Sequence, residues 1–377
     1  MPRVNQKPRV CILITSFGDG GVERMLVNTA RGMAALGADV DFIVNHADKP
    51  YLDAIKGRVN VIQIGNGGPR RLRARLLEYL DARQPRAVLT AKRADDNIAM
   101  RAKALASSEI RFVTRPGGTI SAQLRERGAS PLRRWLRIRQ VRKLYRQADR
   151  IVAVSQGVAD DVSRLSGIAR QQIEVIRNPN ITPDLEELSQ SPLSHPWYAT
   201  GQPPIIIGMG GLRKQKDFPT LIQAFARLRA KREARLLILG QGRQHGRLRQ
   251  LAMELGISED VDLPGFVSNP YPYLKQAQLF VLSSLSEGSP NVLTEALALG
   301  TPVVATDCQS GPREILQDGR YGPLVSIRDA DGLAKAMGSV LDNPLDSRTL
   351  RDATTEFTME KSARRYLEVM GVKPENM

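Results

Sequence analysis

Leu279-Phe-Val-Leu-Ser-Ser-Leu-Ser-Glu-Gly-Ser-Pro-Asn-Val-Leu-Thr-Glu-Ala-Leu-Ala-Leu-Gly-Thr-Pro-Val-Val-Ala-Thr-Asp307 is the stretch whose reading decides the fold. It reads strand, loop, helix, turn, strand. A strand joined to the next through a helix is the crossover that parallel pairing requires. Ser289 is a favoured N-cap residue, and Pro290 suits the first helical position. The backbone N–H groups near Ser289, Asn291 and Val292 then point out of the helix start, which makes a site for a phosphate. Glu287 precedes that site in the loop, and Glu295 lies further along the helix on a face that can return towards it. Two acceptors flanking a phosphate site suit a ligand with hydroxyls on both sides of its phosphates, such as a nucleotide sugar. On spacing alone, a capped helix with one solvated and one incidental carboxylate fits equally well.

The same rhythm extends outward in both directions. Arg9–Thr15, Ala38–Val44, Val59–Ile64, Ala87–Thr90, Ile110–Thr114 and Arg150–Ser155 read as strands, with helix-like stretches between them, the first from about Val22 to Leu36. Pro183, Pro192, Pro196, Pro203 and Pro204 then interrupt the pattern. It restarts at Ile205–Met209 and continues through Arg235–Leu239, Asp260–Leu263, Leu279–Leu282 and Thr301–Thr306. This predicts an α/β chain of two Rossmann-like domains facing a cleft, with ligands at the carboxyl ends of the strands. The predicted limits are an N-terminal domain over 1–183, a linker over 184–204, a C-terminal domain over 205–355 and a helical segment over 356–377. No repeat of solenoid length is present.

The 377 residues suffice for two cores, and 42% hydrophobic with 25% charged residues is an ordinary globular balance. Cys11 and Cys308 are the two cysteines, each in an apolar run, which excludes a disulfide framework and a cysteine-based zinc site. No apolar run reaches the roughly 18 residues that span a bilayer, and Met1–Arg9 leads straight into a strand without a cleavage site. A cytoplasmic location is expected, peripheral on the membrane's cytoplasmic face if the basic surface described below attaches there. The net charge of +16 is lopsided. Residues 1–190 carry 33 Lys and Arg against 19 Asp and Glu (+14), and residues 191–377 carry 22 against 20 (+2). An anionic partner is therefore expected to meet the first half.

Glu287 and Glu295 in Glu-Gly-Ser-Pro-Asn-Val-Leu-Thr-Glu resemble the paired-glutamate signature of the retaining glycosyltransferase family 4. Gly208-Met-Gly-Gly-Leu-Arg-Lys-Gln-Lys-Asp-Phe-Pro-Thr-Leu-Ile222 is similar to the family's segment opening the C-terminal domain. Leu239-Gly-Gln-Gly242, Pro264-Gly-Phe-Val267 and Gly311-Pro-Arg-Glu-Ile315 follow in the family's order. Ala153-Val-Ser-Gln-Gly-Val158, Val175-Ile-Arg-Asn-Pro179 and Gly20-Gly-Val-Glu-Arg24 match in the first half, so the resemblance runs from about residue 10 to residue 370. It implies the glycosyltransferase B fold, with a C-terminal helix crossing back to the N-terminal domain. It implies a nucleotide-sugar donor as substrate, a UDP-sugar by family frequency, and neither cofactor nor catalytic metal. The acceptor implied is a glycan or a lipid-linked sugar of cell-envelope polysaccharide or glycolipid synthesis.

By the same resemblance, Glu295 would hold the ribose hydroxyls, and Glu287 would contact the transferred sugar or support charge at its anomeric carbon. Amides around Ser289, Asn291 and Val292 would bind the diphosphate or sugar hydroxyls, and Phe266 and Val267 would pack the base. Lys216 is the candidate diphosphate clamp, because a fixed cation stabilises the charge that builds on a departing nucleoside diphosphate. Members of the family often carry an arginine directly after the Gly210 position. Gly211 stands there in this chain, with Arg213 two residues on as the candidate substitute, while Lys214 reads as a solvated charge. Gly20 and Gly21, in the loop Phe17-Gly-Asp-Gly-Gly-Val-Glu-Arg24, let backbone approach a ligand and open a helix whose start favours an anion. That loop is neither a dinucleotide fingerprint nor a Walker A motif. The family's polar group in the middle of the first domain has no histidine here: the segment is Thr114-Arg-Pro-Gly-Gly-Thr-Ile120, where Arg115 and Thr119 stand towards the acceptor side without a transferable role. His46, His195 and His245 are expected on loops, with no catalytic part.

Residues 125–150 hold Arg125, Arg127, Arg133, Arg134, Arg137, Arg139, Arg142, Lys143, Arg146 and Arg150 against Glu126 and Asp149. Leu132, Trp135, Ile138, Val141 and Tyr145 recur at helical spacing, which predicts a basic amphipathic helix. Its stripe either fills the core of the domain or meets anionic lipid headgroups, with Arg70, Arg71, Arg73 and Arg75 extending the surface. Without an aromatic platform, nucleic acid ranks below membrane or anionic glycan. Two rivals to the transferase reading remain at this point: a nucleotide-sugar epimerase or hydrolase of the same fold, and a non-catalytic basic binding protein.

Overall fold

The computed structural model describes residues 8–18, 20–46, 51–106, 109–126 and 130–373. Met1–Lys7, Asp19 of the glycine loop and Arg127 of the basic stretch lie outside the described residues, as does the side chain of Arg125. The chain divides into two compact units, Met1–Asn180 with Phe357–Met377, and Ile181–Glu356.

The first unit is built on strands β1 (Arg9–Ile14), β2 (Asp39–Val44), β3 (Asn60–Gln63), β4 (Ala87–Thr90), β5 (Arg111–Thr114), β6 (Arg150–Ala153) and β7 (Ile173–Val175). They form a seven-stranded sheet in the order β3-β2-β1-β4-β5-β6-β7, parallel at every pairing. Val10, Ile12 and Ile14 of β1 pack on one side, and Cys11 and Leu13 on the other. An apolar run without alternation is therefore what a strand buried on both faces needs. The helices Pro69–Arg83, Arg93–Lys103 and Gln156–Ser166 cover the Cys11 side, and Gly21–Ala35 covers the Val10 side.

The helix Met359–Val369 returns to this unit, as the resemblance implies. The Thr358 hydroxyl caps its start by accepting from the Lys361 amide. Its apolar face places Ala363, Tyr366 and Leu367, all 0% exposed, in the Val10-side core. Gly32 allows this approach: a Cβ built on it would lie 2.6 Å from the Ala363 Cβ. Ser362 Oγ donates to the Arg177 carbonyl at 2.9 Å, and Arg111 Nη1 donates to the Val369 carbonyl at 2.9 Å.

The second unit carries β8 (Ile205–Met209), β9 (Arg235–Leu239), β10 (Val261–Gly265), β11 (Leu279–Leu282), β12 (Val303–Thr306) and β13 (Leu324–Val325) in the order β10-β9-β8-β11-β12-β13. Again every pairing is parallel. The helices Phe218–Arg229 and Ala330–Asp342 pack on one face, bringing Leu221, Phe225, Leu333 and Met337 into its core.

Residues 184–204, expected as a linker, belong to the second unit. Leu185–Leu188 is helical and Pro196–Tyr198 forms a 3-10 turn. His195 Nε2 lies 3.0 Å from Asp262 Oδ2, and Tyr198 donates to the Tyr273 carbonyl at 2.9 Å while its ring meets the Tyr273 ring edge to face. The prolines punctuate a strap, and its aromatic residues bind it down. Strands β7 and β13 escape a sequence reading because they are three and two residues long.

The Gly32 contact gives a test of the returning helix. Gly32→Ala is expected to destabilise the chain by about 1–3 kcal/mol through overpacking, read as a lower thermal midpoint. Adding Ala363→Gly in the same chain should restore part of the loss, since the paired methyl is then gone; additive losses would show that the helices do not meet there.

Candidate functional site

In the second unit the strand order reverses between β8 and β11, and the loops leaving those strands bound a crevice. Residues 210–217 follow β8 and residues 283–290 follow β11. They are laced together: the Leu285 amide donates to the Gln215 carbonyl at 2.8 Å, Gln215 Nε2 to the Ser286 carbonyl at 2.6 Å, and Ser283 Oγ to the Lys216 carbonyl at 2.7 Å. The functional groups sit on this frame. Lys216 Nζ lies 2.7 Å from Glu287 Oε1, with side chains 18% and 10% exposed, and Ser284 Oγ donates to the same oxygen at 2.7 Å. The carboxylate is thus compensated by an ammonium and a hydroxyl, as a largely buried charge requires.

The second half of the paired signature follows at once. The helix occupies Asn291–Ala298, with extended Pro290 in the cap position. The helix therefore starts one residue later than Ser289 and Pro290 predict, and Ser289 is not its N-cap. The φ of Pro290, −70°, suits a helix, but its ψ of 107° keeps the turn open. Ser289 and Val292 are buried, Asn291 is half-buried, and Glu295 is 1% exposed in the second turn. Gly311 explains why the turn holds its shape. It has φ +78°, and a Cβ there would lie 2.8 Å from Pro290 Cδ and 3.0 Å from the Gly288 carbonyl oxygen. Ser310 Oγ also donates to that carbonyl, at 3.2 Å.

Arg213 is exposed and its side chain lies over Gly211, where a Cβ would be 3.1 Å from Nε. The chain thus lays a guanidinium from two residues on across the position where the family often has its arginine. Lys214 is exposed, as expected. Phe266 is 43% exposed and Val267 half-buried in the loop after β10. Cys308, read from the sequence only as a cysteine in an apolar run, lies close to the Lys216–Glu287 pair. Burial pushes its thiol up to about 12, with the Glu287 charge adding, so it stays protonated beside the ion pair.

The first unit has its own crevice, where the order reverses between β1 and β4. The glycine loop is folded around a carboxylate of the chain itself. Glu23 Oε1 accepts from the Gly18 amide at 3.1 Å and lies 2.6 Å from Lys92 Nζ. Its other oxygen sits 2.9 Å from where a Gly20 Cβ would be, and Gly21 begins the helix. The anion expected at Gly20 and Gly21 is therefore Glu23 in this structure. Beneath it, Asp95, 0% exposed, accepts from the Thr15 amide at 3.0 Å and from the Thr15 hydroxyl. Asp96 accepts from Thr114 Oγ1 at 2.6 Å and from Thr90 Oγ1 at 2.5 Å, and burial pushes it up to about 6. This pair ties the carboxyl ends of β1, β4 and β5 together. An Asp-Asp in the first turn after a strand was the available sequence signal.

Arg115 is 2% exposed, donates to Asn178 Oδ1 and faces the Tyr366 hydroxyl of the returning helix; burial lowers its pKa. Thr119 is 3% exposed. His46 lines a cavity of about 280 Å³ with Ser16, Phe17, Glu23, Asn45 and Lys92, His195 is held by Asp262, and His245 Nε2 lies 3.2 Å from the Leu263 carbonyl oxygen. Among the described residues, no group of three His, Cys, Asp or Glu converges as a metal site, and no helix is long and apolar enough to cross a membrane.

Two family profiles match the chain, Glycosyltransferase Family 4 over residues 19–179 and Glycosyl transferases group 1 over residues 203–343. Among curated proteins, the lipopolysaccharide core biosynthesis glycosyltransferase LpsE of Rhizobium meliloti is 34% identical over 235 residues, 61% of this chain and 66% of that protein. The N-acetylgalactosamine-N,N'-diacetylbacillosaminyl-diphospho-undecaprenol 4-alpha-N-acetylgalactosaminyltransferase of Campylobacter jejuni is 34% identical over 200 residues, 53% of each chain. The matches thus span between about half and two thirds of those relatives' lengths. Among solved structures, Anabaena Alr3699/HepE in complex with UDP and glucose superposes with a TM-score of 0.77 at 18% identity, covering 97% of this chain and 99% of that one. The lipopolysaccharide outer core galactosyltransferase WaaB, in its apo form, gives 0.72 at 18%, covering 97% and 99%. At these identities the likeness shows the fold, two Rossmann-like domains of glycosyltransferase B type.

The ion pair yields a stability cycle. Lys216→Met leaves Glu287 largely buried without its cation and should cost about 2–3 kcal/mol in urea unfolding. Lys216→Met with Glu287→Gln should cost less than Lys216→Met alone. Equal losses in both would mean that the two side chains are not coupled.

Proposed function

The chain belongs to the group 1, family 4 glycosyltransferases, and from that premise we propose that it moves a sugar from a nucleoside diphosphate, a UDP-sugar first, to a glycan or lipid-linked acceptor in lipopolysaccharide or polysaccharide synthesis. The observation that carries this reading is the Lys216–Glu287 pair held across the crevice of the second unit. In the proposed complex, the diphosphate lies against the amides that open the Asn291–Ala298 helix, where N–H groups and the helix dipole favour an anion. Lys216 sits beside its leaving oxygen, and Arg213 adds a second cation.

The bond that breaks joins the anomeric carbon to that phosphate oxygen. The bond that forms joins the same carbon to the acceptor oxygen on the same face, so the configuration is retained. The acceptor proton goes to the departing phosphate, which needs neither a protein nucleophile nor a metal. Lys216 stabilises charge that grows only as the bond breaks, and so acts on the barrier rather than on binding. Glu287, anchored by Lys216 and Ser284, faces the transferred sugar, Glu295 takes the ribose hydroxyls, and Phe266 and Val267 border the base. Incubation with a panel of nucleotide sugars in EDTA should release nucleoside diphosphate. Lys216→Ala and Glu287→Gln should each lower kcat by about 100-fold or more; unchanged turnover in both would overturn the assigned site.

A membrane-surface attachment in the first unit is supported by a separate observation. The helix Pro131–Tyr145 buries Val141, Leu144 and Tyr145 but leaves Leu132, Trp135 and Leu136 at 66%, 55% and 44% exposed. The predicted stripe thus divides, its second half in the core and its first half outside. Arg133, Arg134 and Arg139 are exposed around those apolar side chains, the Arg139 guanidinium 5.6 Å from the centre of the Trp135 ring. Arg75 does not extend the surface, since it turns back to the Ile64 carbonyl. Apolar groups ringed by arginine suit the anionic headgroup layer, at about 1 kcal/mol per nearby cation. Sedimentation with phosphatidylglycerol vesicles should fall with added salt and with Trp135→Ala plus Arg134→Ala. Equal binding to phosphatidylcholine vesicles, or none to either, would sink this attachment.

A further inference from the structure

Arg115 opens the loop that follows β5, and its guanidinium is buried, the residue being 2% exposed. It makes one hydrogen bond among the described residues, from Nη2 to Asn178 Oδ1, an acceptor without charge. Nε and Nη1 are sealed from solvent and have no acceptor there. A buried cation is ordinarily matched by a carboxylate, because its lost hydration has to be replaced by an opposite charge. Lys216 has Glu287 and Lys92 has Glu23. Arg115 departs from that rule. No acidic side chain acts on it, and the ionisable neighbour that does is Tyr366 of the returning helix.

Tyr366 does not take the place of a carboxylate. It is fully buried, and burial pushes its pKa up, so it stays a neutral phenol. Its oxygen faces the guanidinium without closing a hydrogen bond. Burial also lowers the Arg115 pKa, yet a guanidinium keeps its proton inside a protein. Nε, Nη1 and the phenol hydroxyl are thus donors without an acceptor beside an uncompensated charge. A water molecule would supply the acceptor alone, whereas an anion supplies acceptor and countercharge together.

The surroundings limit the size of that anion. Gly117 covers Nη1, since a Cβ built on it would lie 3.0 Å from that nitrogen. Gly117 is itself exposed, and beyond its chain neighbours only the guanidinium comes within 4 Å of the Cβ position. One glycine therefore separates the charge from solvent, a short path for a monatomic ion. A phosphate, with four oxygens, would have to displace the loop.

We propose that the first unit binds a chloride ion at this place, held by the free N–H groups of Arg115 and by the Tyr366 hydroxyl. Arg115 follows β5, Asn178 follows β7 and Tyr366 lies on the Met359–Val369 helix. The ion then joins parts of the chain distant in sequence, and its role is to hold the returning helix rather than to take part in transfer. The proposal stands apart from the transferase reading.

Thermal unfolding of the full chain in sodium gluconate, with chloride exchanged in at constant ionic strength, reads the site. The midpoint should rise with chloride and level off by about 100 mM, as saturation of one site on the folded chain requires. Bromide should act in the same way, and its anomalous signal in soaked crystals should lie beside Arg115 and Tyr366. Arg115→Gln should abolish the rise. Tyr366→Phe should raise the half-effective chloride concentration about tenfold, one hydrogen bond to a charged partner being lost, and it decides alone if Arg115→Gln does not fold. A midpoint indifferent to chloride, a rise that the folded variants keep unchanged, bromide bound only elsewhere, or stabilisation through Arg115 by inorganic phosphate and not by halide would overturn the proposal.

Discussion

Both units depend on one constraint: an open parallel sheet whose right-handed crossovers put helices on both faces must reverse its strand order somewhere. Next to the reversal, two neighbouring loops leave in opposite directions and no helix covers the gap between them. Here the reversals fall at β1/β4 and at β8/β11, and each gap is spanned by a lysine and a glutamate. In the first unit the glutamate, Glu23, comes from the helix after β1, and the lysine, Lys92, follows β4. In the second the lysine, Lys216, follows β8, and the glutamate, Glu287, follows β11. The polarity is inverted between the two. Each pair sets two compensated charges at its crevice.

The two crevices differ in what they leave available. Around Lys216 the neighbouring groups include a helix start without an acidic residue in its first turn, and an exposed arginine nearby. Positive potential therefore remains after Glu287 is compensated. Around Lys92 the neighbouring helix start, that of Gly21–Ala35, already has Glu23 in its first turn, so little positive potential remains. The two helix starts thus differ in the room they leave for an anion, and the Glu23 carboxylate in the first turn makes the difference.

Much of this was legible in the sequence, and the part that was not has physical causes. Apolar runs such as Val10–Ile14 and Leu279–Leu282 announce strands buried on both faces, because only such strands do without alternation. Glu287, Ser289 and Asn291 could be placed on one loop-to-helix turn from spacing alone. The start of the helix slipped by a residue, since Pro290 satisfies the φ of a helix and ψ is set by the packing of Gly311 against it. The segment 184–204 reads as a linker because proline reports backbone punctuation, whereas the contacts that bind the strap join His195 and Tyr198 to Tyr273, 75 residues beyond Tyr198. Glu23 escaped notice for a similar reason. Its partner Lys92 is 69 residues away, and no local pattern records that the helix start is already filled.

The charge asymmetry acquires a location from these contacts. Residues 1–190 carry +14, yet the cavity of the first unit is close to neutral, and Arg115 is buried against Asn178 and Tyr366. The excess therefore lies on outer faces. On the helix Pro131–Tyr145 it surrounds apolar side chains that the core leaves uncovered. A soluble sugar acceptor needs no such surface, and in the proposed reaction the nucleotide sugar would be met by Lys216 and Arg213 of the second unit. Cations ringing uncovered apolar side chains are what the proposed attachment to an anionic headgroup layer would use, and a charge excess spread evenly over the chain would not supply them.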